Sequence, residues 1–422
     1  MIAGLSTSAK GQVFTDLYDF AGGTGDGANP TGSLIDVGGI LYGMTPGGGK
    51  SGFGTIFSFS PATDAENVLY SFEGKPADGQ SPLGSLLQSS SSPSTLYGMT
   101  ENGGSGSAGT LFSFNLGNNA ESVLYSFGSQ GLDLPTGSLI QSSGTLYGLA
   151  DNAFSFNTTT NTATTLYEFG GRPDAGSGAR GSLTLVGNSL YGLSESGGAD
   201  SQGAMYSYNL YTNTESVVHS FTGGSDGGEP LGSPVASDGV LYGTALGGAN
   251  IGGTLFSYDT SDGSFDTLFS FNGVDGGGGG AGLLADGTSL FGMSGGGANG
   301  LGCVFSYNTL TGVESLLYSF GGPDGQSPQG DLILVGNTLY GMTRLGGTNN
   351  DGVIFSIELP EPGYSLLVAW PAAWFLLRRH RGPQNISADS KLPVLPVPLE
   401  FPRLQMPPPS RRQPGKSSVA QT

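Results

Sequence analysis

The 422-residue chain is rich in glycine and acidic, with 78 Gly, only 11% charged residues and a formal net charge of −19. Glycine at this level without a Gly-X-Y period excludes collagen, and 10% aromatic residues are too many for a plainly disordered chain. Residues 1–377 hold six Lys and Arg against 31 Asp and Glu, so this acidic body repels nucleic acid and we expect no nucleic-acid partner.

The first strand signal in the chain is Asp16-Leu17-Tyr18-Asp19-Phe20. It matches the fourth strand of a repeat described below, but no partner strands precede it. Residues 1–10 lack the apolar core of a secretory signal. We expect them to be the end of an export signal that starts upstream, or a disordered segment.

A Leu-Tyr-Gly phrase then recurs seven times, with steps of 55, 50, 44, 51, 49 and 49 residues between its aromatic residues. This period is typical of a four-stranded propeller blade and far exceeds one coil of a β-helix. We expect these aromatic residues to be core packing between blades rather than a ligand-binding row. They are Tyr42, Tyr97, Tyr147, Tyr191, Tyr242, Phe291 and Tyr340.

Each unit contains four strand signals, which in the first unit begin with Gly32-Ser33-Leu34 and Leu41-Tyr42-Gly43 and continue with Ile56 to Phe59 and Leu69 to Phe72. The last unit stops at Ile357 after its third strand, so the N-terminal strand should supply the missing one. The sequence therefore predicts an all-β, seven-bladed β-propeller over residues 11–359, with kelch-like four-stranded blades closed by the N-terminal strand. The predicted blades are 21–72, 73–127, 128–169, 170–221, 222–271, 272–320, and 321–359 joined with 11–20.

The loop between the fourth strand and the next first strand carries one aspartate in every unit. An aspartate before a glycine accepts backbone N–H bonds within a turn, so we expect these carboxylates to be structural. The alternative is a carboxylate ring on one side of the disc that binds Ca²⁺. Apart from that, we expect no metal and no cofactor. The seven residues are Asp26, Asp78, Asp133, Asp174, Asp226, Asp275 and Asp324.

Other candidate chemistry has a structural explanation. The glycine doublets after the Leu-Tyr-Gly strands are not followed by the Lys-Ser or Lys-Thr of a phosphate loop. Cys303 is the single cysteine and excludes an intramolecular disulfide, and His219 replaces a tyrosine of the sister strands. Two histidines are too few for a serine-protease-like triad in the ring loops, so we expect no catalytic residues and no enzyme.

The units resemble a known family. The segment 241–250, which reads Leu-Tyr-Gly-Thr-Ala-Leu-Gly-Gly-Ala-Asn, and the following Gly253-Thr254-Leu255-Phe256-Ser257-Tyr258 are similar to the GloVer tandem repeat of bacterial surface proteins. The resemblance covers residues 11–359 and implies a bacterial cell-surface protein.

The segment 360–381 resembles a PEP-CTERM sorting signal. Its Pro360-Glu361-Pro362 precedes an apolar run of 15 residues, 363–377, and then the basic residues Arg378, Arg379 and Arg381. The resemblance implies cleavage by an exosortase during export, transient membrane contact through 363–377 and a link to exopolysaccharide. A permanent tail anchor is the alternative, although the run is short for a span of about 20 residues. We expect residues 382–422 to be a disordered, proline-rich basic tail.

These features favour an exported bacterial cell-surface or matrix propeller that acts as a non-catalytic binding or structural module. The partners that we expect are an exosortase-type sorting enzyme, glycans and other surface proteins. The alternative function is a secreted propeller enzyme that acts on polysaccharide, which would need a cluster of carboxylates at the mouth of the central channel.

Overall fold

The computed structural model of the protein describes residues 12–74, 76–129, 131–169, 177–250, 252–277 and 281–360. Within these ranges all regular structure is β-strand, and the main sheets form seven antiparallel four-stranded blades in a ring. The sheet of blade seven has a fifth, short strand, Gln326–Pro328, and two-stranded ladders pair Gly27–Ala28 with Gly47–Gly48 and Gly79–Gln80 with Asn102–Gly103. The predicted seven-bladed β-propeller is therefore confirmed. In blades one to six the strands follow one another from the central channel outwards in chain order, whereas the outermost strand of blade seven comes from the N-terminal end of the described chain.

The first three blades lie between residues 35 and 167. The strands of blade one are Ile35–Val37, Ile40–Thr45, Thr55–Ser60 and Ala65–Ser71. Those of blade two are Leu87–Gln88, Thr95–Thr100, Thr110–Asn115 and Ala120–Ser126, and those of blade three are Pro135–Ser142, Thr145–Ala150, Asn152–Asn157 and Thr162–Tyr167.

The next three blades lie between residues 177 and 319. Blade four comprises Ser177–Val186, Ser189–Ser196, Ala204–Asn209 and Thr214–Ser220. Blade five comprises Val235–Ser237, Val240–Ala245, Thr254–Asp259 and Phe265–Ser270, and blade six comprises Leu283–Asp286, Ser289–Ser294, Cys303–Asn308 and Val313–Ser319.

Blade seven joins the two ends of the described chain. Its inner strands are Ile333–Val335, Thr338–Leu345 and Val353–Glu358, and its outer strand is Val13–Asp19. Val13 pairs with Glu358 and Asp19 with Val353 in antiparallel register. The closure predicted from the phase of the repeat is thus confirmed, and it covers a strand edge that would otherwise be free to pair with another chain.

A β-bulge interrupts the pairing of the third and fourth strands at the same place in every blade. In blade one, Ile56 pairs with Tyr70 and Phe57 with Val68, so Leu69 is the extra residue. Such a bulge increases the local twist of the outer strand. The extra residues are Leu17, Leu69, Leu124, Leu166, Val218, Leu268 and Leu317.

Aromatic side chains seal the boundary between neighbouring blades. Phe72, which directly follows the fourth strand of blade one, packs edge to face on Phe112 of blade two with ring centroids 5.4 Å apart. The same edge-to-face contact joins Phe20, which follows the outer strand of blade seven, to Phe57 of blade one, with ring centroids 5.2 Å apart. These rings are fully buried. Edge-to-face pairs add about 1 kcal/mol to the burial of each ring, so every blade boundary is an apolar core of its own.

The glycine of each Leu-Tyr-Gly phrase makes room for one of these rings. A Cβ at Gly98 would lie 2.4 Å from Cζ of Phe112, and one at Gly43 would lie 2.5 Å from Cζ of Phe57. The phrase is therefore a packing device. Its aromatic member is itself buried or partly buried in every blade, as Tyr97 is at 9% exposure.

Candidate functional site

The recurring aspartates hold the long loops that enter each blade. Oδ2 of Asp26 accepts the Ala21 N–H at 2.6 Å, and its Oδ1 accepts the Gly27 N–H at 2.6 Å. The Tyr18 hydroxyl also donates to Oδ2 at 3.0 Å. An ionised carboxylate with several such donors fixes the turn around it.

Carboxylates also accept backbone N–H groups in four of the other described loops, those of Asp78, Asp226, Asp275 and Asp324. Asp133 differs, since it holds its loop through its own backbone N–H, which donates to the Ala150 carbonyl at 3.3 Å. Asp174 lies outside the described residues. The other backbone N–H donors are those of Glu73 and Gly79 to Asp78, Thr222 to Asp226, Asn272 to Asp275 and Gly321 to Asp324, at 2.6 to 3.1 Å.

The glycine doublets pair with these aspartate loops. Gly27–Ala28 forms a short ladder with Gly47–Gly48, and the Gly49 N–H donates to the Asp26 carbonyl at 2.7 Å. Gly48 has φ of +74°, and a Cβ there would lie 2.3 Å from the Asp26 carbonyl oxygen. The backbone N–H groups of the glycine doublet, which a phosphate would need, therefore already donate to the aspartate loop of the same blade.

A glutamate on the fourth strand of the blade that the loop enters lies near some of these carboxylates, at the boundary with the preceding blade. Oε2 of Glu66 is 3.4 Å from the Tyr18 hydroxyl that also bonds Asp26, and the buried Oε1 of Glu66 has no hydrogen-bond partner. Burial and the charge of Asp26 raise the pKa of Glu66 to about 7. Burial and Asp78 likewise raise the pKa of Glu121 to about 8.

Two blades carry an aromatic residue in the position of this glutamate. Phe265 stacks on the His219 ring at 3.6 Å, and Phe14 stacks on Tyr318 at 3.7 Å. His219 occupies the place of a tyrosine and bonds Asp226 through Nε2 at 3.2 Å. Burial lowers the pKa of His219. Because its ring stacks on Phe265 of blade five, His219 is part of the packing between blades four and five.

The central channel is surrounded by a collar of glycines at the entry to the first strands. A Cβ at Gly84 would lie 1.8 Å from the carbonyl oxygen of Gly137 in the next blade, and one at Gly32 would lie 2.2 Å from that of Gly84. The backbones of neighbouring blades are therefore in direct contact around the channel. The glycines in such contact are Gly32, Gly84, Gly137, Gly181, Gly232 and Gly330.

The residue after each collar glycine links its blade to the next. The Ser33 N–H donates to Oγ of Ser85 at 2.7 Å, and the Ser85 N–H donates to Oγ of Ser138 at 2.9 Å. The links continue from Ser138 to Ser182 at 2.8 Å and from Ser182 to Ser233 at 2.7 Å. Because each hydroxyl accepts in this ring, its own hydrogen remains available for a further bond.

Blades six and seven depart from the serine pattern. Gly282 and Asp331 stand where the other blades have serine, and Oδ1 of Asp331 accepts the Gly282 N–H at 2.7 Å. The Asp331 N–H joins blade seven to blade one by donating to Ser33 Oγ at 2.7 Å, while Gly282 has no side chain to accept the Ser233 N–H of blade five. A Cβ at Gly282 would lie 2.4 Å from Asp331 Oδ1, so the longer aspartate fills the space of the missing side chain.

This register corrects one expectation from the repeat. The repeat in the sequence predicts that the first-strand signal of the sixth unit begins at Gly282, in the position of Gly32 in the first unit. In the structure the carbonyl oxygen that faces Gly232 belongs to Ala281. Gly282 is the counterpart of the serines instead. The run from Gly276 to Gly280 in front of it carries no side chain that could mark the register in the sequence.

A cavity of about 320 Å³ lies at this end of the channel. Asp331 is the one carboxylate among its described lining residues, which include no Lys, Arg or His. Asp331 as a whole residue is partly exposed and lines the cavity, and burial raises the pKa of its carboxyl to about 6. The cavity is lined by 31–33, 83–85, 136–138, 181–182, 231–233, 282 and 329–331.

The other candidate groups are placed as follows. Cys303 is buried beside Ser294, with Sγ 3.0 Å from Oγ, and burial raises its pKa to about 11. The described ranges contain no group of three or more His, Cys, Asp and Glu side chains that could hold a metal ion. They also contain no helix long and apolar enough to cross a membrane. Of the sorting-signal residues only Pro360 is described; Glu361, Pro362, Arg378, Arg379 and Arg381 lie outside the described residues.

The model of the Gloeobacter/Verrucomicrobia repeat matches the chain three times, over residues 5–160, 152–295 and 201–374. The chain belongs to this repeat family. The matches overlap and together cover the whole propeller, which agrees with the resemblance drawn from the repeated phrase. Comparison with curated proteins returns no match.

Solved structures share the architecture of this repeat protein. An oligogalacturonate lyase in complex with manganese superposes with a TM-score of 0.51 at 13% identity, covering 83% of this chain and 97% of that one. An oligogalacturonate lyase from Vibrio parahaemolyticus gives a TM-score of 0.54 at 10% identity, covering 82% and 94%. At these identities the similarity shows the propeller fold alone.

The hydrogen bonds between the serines and Asp331 around the channel were not predicted from the sequence. The residue after the first-strand glycine is serine in five units and aspartate in the seventh, so a comparison of that column contained the signal. Asp331 does not belong to the loop aspartates, which drew attention because they recur in every unit.

Proposed function

We propose that the protein is an exported bacterial cell-surface or extracellular-matrix propeller that acts as a non-catalytic binding module. The observation that supports this proposal is the cavity at the channel mouth, whose 320 Å³ falls among the smaller ligand sites of proteins, about 300 to 1,000 Å³. Its lining offers serine hydroxyls, backbone groups and one carboxylate, which suit recognition by hydrogen bonds.

Export is the second part of the proposal. The segment 360–381 follows the last strand of blade seven, and its resemblance to a PEP-CTERM signal implies sorting by an exosortase and transient membrane contact through 363–377. With the same secretory signal placed before residue 1, the full chain should be cleaved near residue 360 and released in a host that has an exosortase, and should stay uncleaved and bound to the cell in a host that lacks one. A version that ends at residue 359 should be released from both hosts, and a full chain that behaves the same in the two hosts would refute the sorting role.

Glycans are the ligands that we propose, because hydroxyl groups of sugars match a ring of hydroxyl and backbone groups. The purified chain should retain labelled glycans on an array without changing them, and prolonged incubation should release no reducing ends. A chain that retains no glycan of any charge would contradict this part of the proposal.

A second candidate function is an enzyme that acts on polysaccharide. It is favoured by the carboxyl pairs between blades, since a group such as Glu121, with its pKa of about 8, holds a proton near neutral pH. The fold is also one that oligogalacturonate lyases use. New reducing ends or unsaturated products that disappear in Glu121→Gln would favour the enzyme over the binding module.

A further inference from the structure

Apolar side chains are concentrated on the outer edge of blade six. Leu310 is 81% exposed in the turn before its outer strand, Val313 is 57% exposed at the start of that strand, and Leu316 is 39% exposed further along it. Val13, which is 47% exposed, begins the outer strand of the neighbouring blade seven. Four of the seven exposed large apolar residues in the described ranges therefore lie on two adjacent blades. The other three lie singly, in the loops at 134 and 274 and the turn at 211.

The outer strands of the sister blades do not share this feature. The pairing with the third strand shows that Thr267 stands where blade six has Leu316, and that Thr214 stands where it has Val313. In the outer strands of blades one to five the exposed positions hold only alanine, asparagine, serine, threonine and aspartate. The repeat itself therefore does not require valine and leucine on this edge.

The strand that carries these residues is an open edge. Within the described chain, Val313–Ser319 pairs with Cys303–Asn308 on one side and with no strand on the other. The bulge at Leu317 twists the second half of the strand, and Val313–Leu316 is regular in front of it. An edge strand with exposed apolar residues and without lysine or proline is a typical site of association with another chain.

The same edge carries little charge in a strongly acidic molecule. Between Cys303 and Ser319 the single charged residue is Glu314, which is half-buried near Asp275. Burial and Asp275 raise the pKa of Glu314 to about 7, so it carries only part of its charge at neutral pH. Two copies of the chain, each with a formal net charge of −19, repel one another over most of their surface. A basic partner would find little to bind on this edge, whereas the same apolar patch of a second copy matches it.

The patch has the size of a weak interface. The strand has seven residues and is about 23 Å long, so a strip that reaches one sheet spacing of about 10 Å to either side covers roughly 450 Å². This area is within the range of the largest apolar patches on monomeric proteins, about 300 to 600 Å². Paired with a second copy it would bury roughly 900 Å², less than the about 1,600 Å² of a standard interface. An interface of this size suits a dimer that forms as the concentration rises rather than an obligate one.

We propose that two copies of the chain associate edge to edge through the outer strand of blade six, with Leu310, Val313 and Leu316 of each copy packed against the same residues of the other. Such a contact is isologous, so it closes after two copies and does not continue into a fibre. The association goes beyond the proposed binding function and does not depend on it.

Sedimentation velocity of the full chain should show a shift from monomer to dimer between about 1 and 100 µM, as expected for an interface below the standard size. Added salt should strengthen the dimer, because it screens the repulsion between two acidic copies. The double variant Val313→Thr with Leu316→Thr carries the residue that sister blades have at these positions, so it should fold. Its dimer Kd should rise roughly tenfold or more, since apolar surface is lost from both sides of the contact. Val274→Thr changes an exposed valine of a loop and should leave the dimer Kd unchanged.

Cross-linking locates the contact independently of the affinity. Cys303 is buried, so a cysteine introduced at the exposed Ser315 supplies an accessible thiol on the proposed edge. Ser315→Cys should give a covalent dimer with a short bis-maleimide. Ser216→Cys, at the same position of blade four, should not.

Three results would overturn the inference. The first is a chain that stays monomeric over this range of concentration. The second is a dimer whose Kd is the same in the double variant, or that cross-links equally through Ser216→Cys, because another part of the chain, such as 1–11 or 361–422, would then hold the copies together. The third is an equal loss of the dimer in Val274→Thr and in the double variant, since the edge of blade six would then have no special part in it.

Discussion

Tyr206 shows how one hydroxyl can disturb a repeated core. It is 1% exposed and lies under Gly192, where a Cβ would be 2.2 Å from its hydroxyl oxygen. Within the described structure that hydroxyl has no hydrogen-bond partner. The other six blades have phenylalanine at this position, namely Phe57, Phe112, Phe154, Phe256, Phe305 and Phe355.

We expect Tyr206→Phe to raise the free energy of unfolding by about 1 kcal/mol, because it removes a buried polar group that lacks a partner. Tyr208→Phe is the matched control, since the Tyr208 hydroxyl donates to Asn213 at 3.3 Å and its loss should be neutral or destabilising. Chemical denaturation of the three proteins measures both effects. A Tyr206→Phe protein no more stable than the wild type would contradict the assignment.

The carboxyl pairs between blades make stability depend on pH. Burial and Asp78 raise the pKa of Glu121 from 4.5 to about 8. Between those values the folded protein holds a proton that the unfolded chain has released, so the free energy of unfolding falls as the pH rises through this window. Glu66 and Glu314, each with a pKa raised to about 7, act in the same direction.

Glu121→Gln should therefore stabilise the protein at pH 9 and change it little at pH 5, because glutamine resembles the protonated acid. The expected gain at high pH is about 2 kcal/mol, less than the pKa shift alone implies because solvent still reaches the carboxyl. Thermal unfolding across the pH range measures it. The exposed Glu229→Gln is the control, and an equal response of the two variants would argue against the pair.

At the scale of the element, the first strands are joined by backbone contact rather than by side chains. Gly84→Ala should destabilise the protein by about 3 kcal/mol or more, because the new Cβ would lie 1.8 Å from the Gly137 carbonyl oxygen, which cannot move without shifting a blade. Gly25→Ala is the control, since no atom lies within 4 Å of its Cβ and its φ is not positive. Equal melting temperatures for the two variants would rule out the collar as a structural requirement.

The strands could be predicted from the sequence to a large extent. Phrases such as Ile56 to Phe59 alternate between faces with a period of two, and short turns separate them, which are local signals. The bulge at Leu69 was not predictable, because an extra leucine in an apolar strand looks like any other. The prediction that the first strand of blade six begins at Gly282 was wrong for a related reason, because the five glycines 276–280 have no side chains that would fix the register in the sequence.

For the whole molecule, the strand Val13–Asp19 decides whether the ring is closed. It supplies Phe14, which stacks on Tyr318 and Phe355, and it is followed by Phe20, which packs on Phe57 of blade one. Removal of these contacts would expose the edge of Val353–Glu358 and two apolar boundaries at once.

Deletion of residues 1–20 should accordingly lower the melting temperature by about 10 °C or more and promote association through the open edge. Deletion of residues 1–11 is the control, because it spares the strand. Differential scanning calorimetry and light scattering give the two readouts. If the longer deletion melts at the same temperature as the shorter one, the N-terminal strand does not close the ring.

The candidate site was much harder to predict than the ring. Ser33, Ser85 and Asp331 are far apart in the chain, and they meet because seven blades place their first strands around one axis. No local pattern marks such a meeting point. The loop aspartates were candidates because they recur in every unit, yet the carboxylate oxygens of Asp26 and Asp78 accept hydrogen bonds from neighbouring backbone N–H groups.

The way in which blade seven is assembled also determines how the molecule bears mechanical load. Val353–Glu358, the last strand before residue 360, is bonded on one side to Thr338–Leu345 and on the other to Val13–Asp19. A pull on the chain beyond Leu359 is therefore shared by two ladders, whereas a terminal strand at an edge would unzip from one. A propeller closed by its N-terminal strand is suited to being held by its C-terminal end.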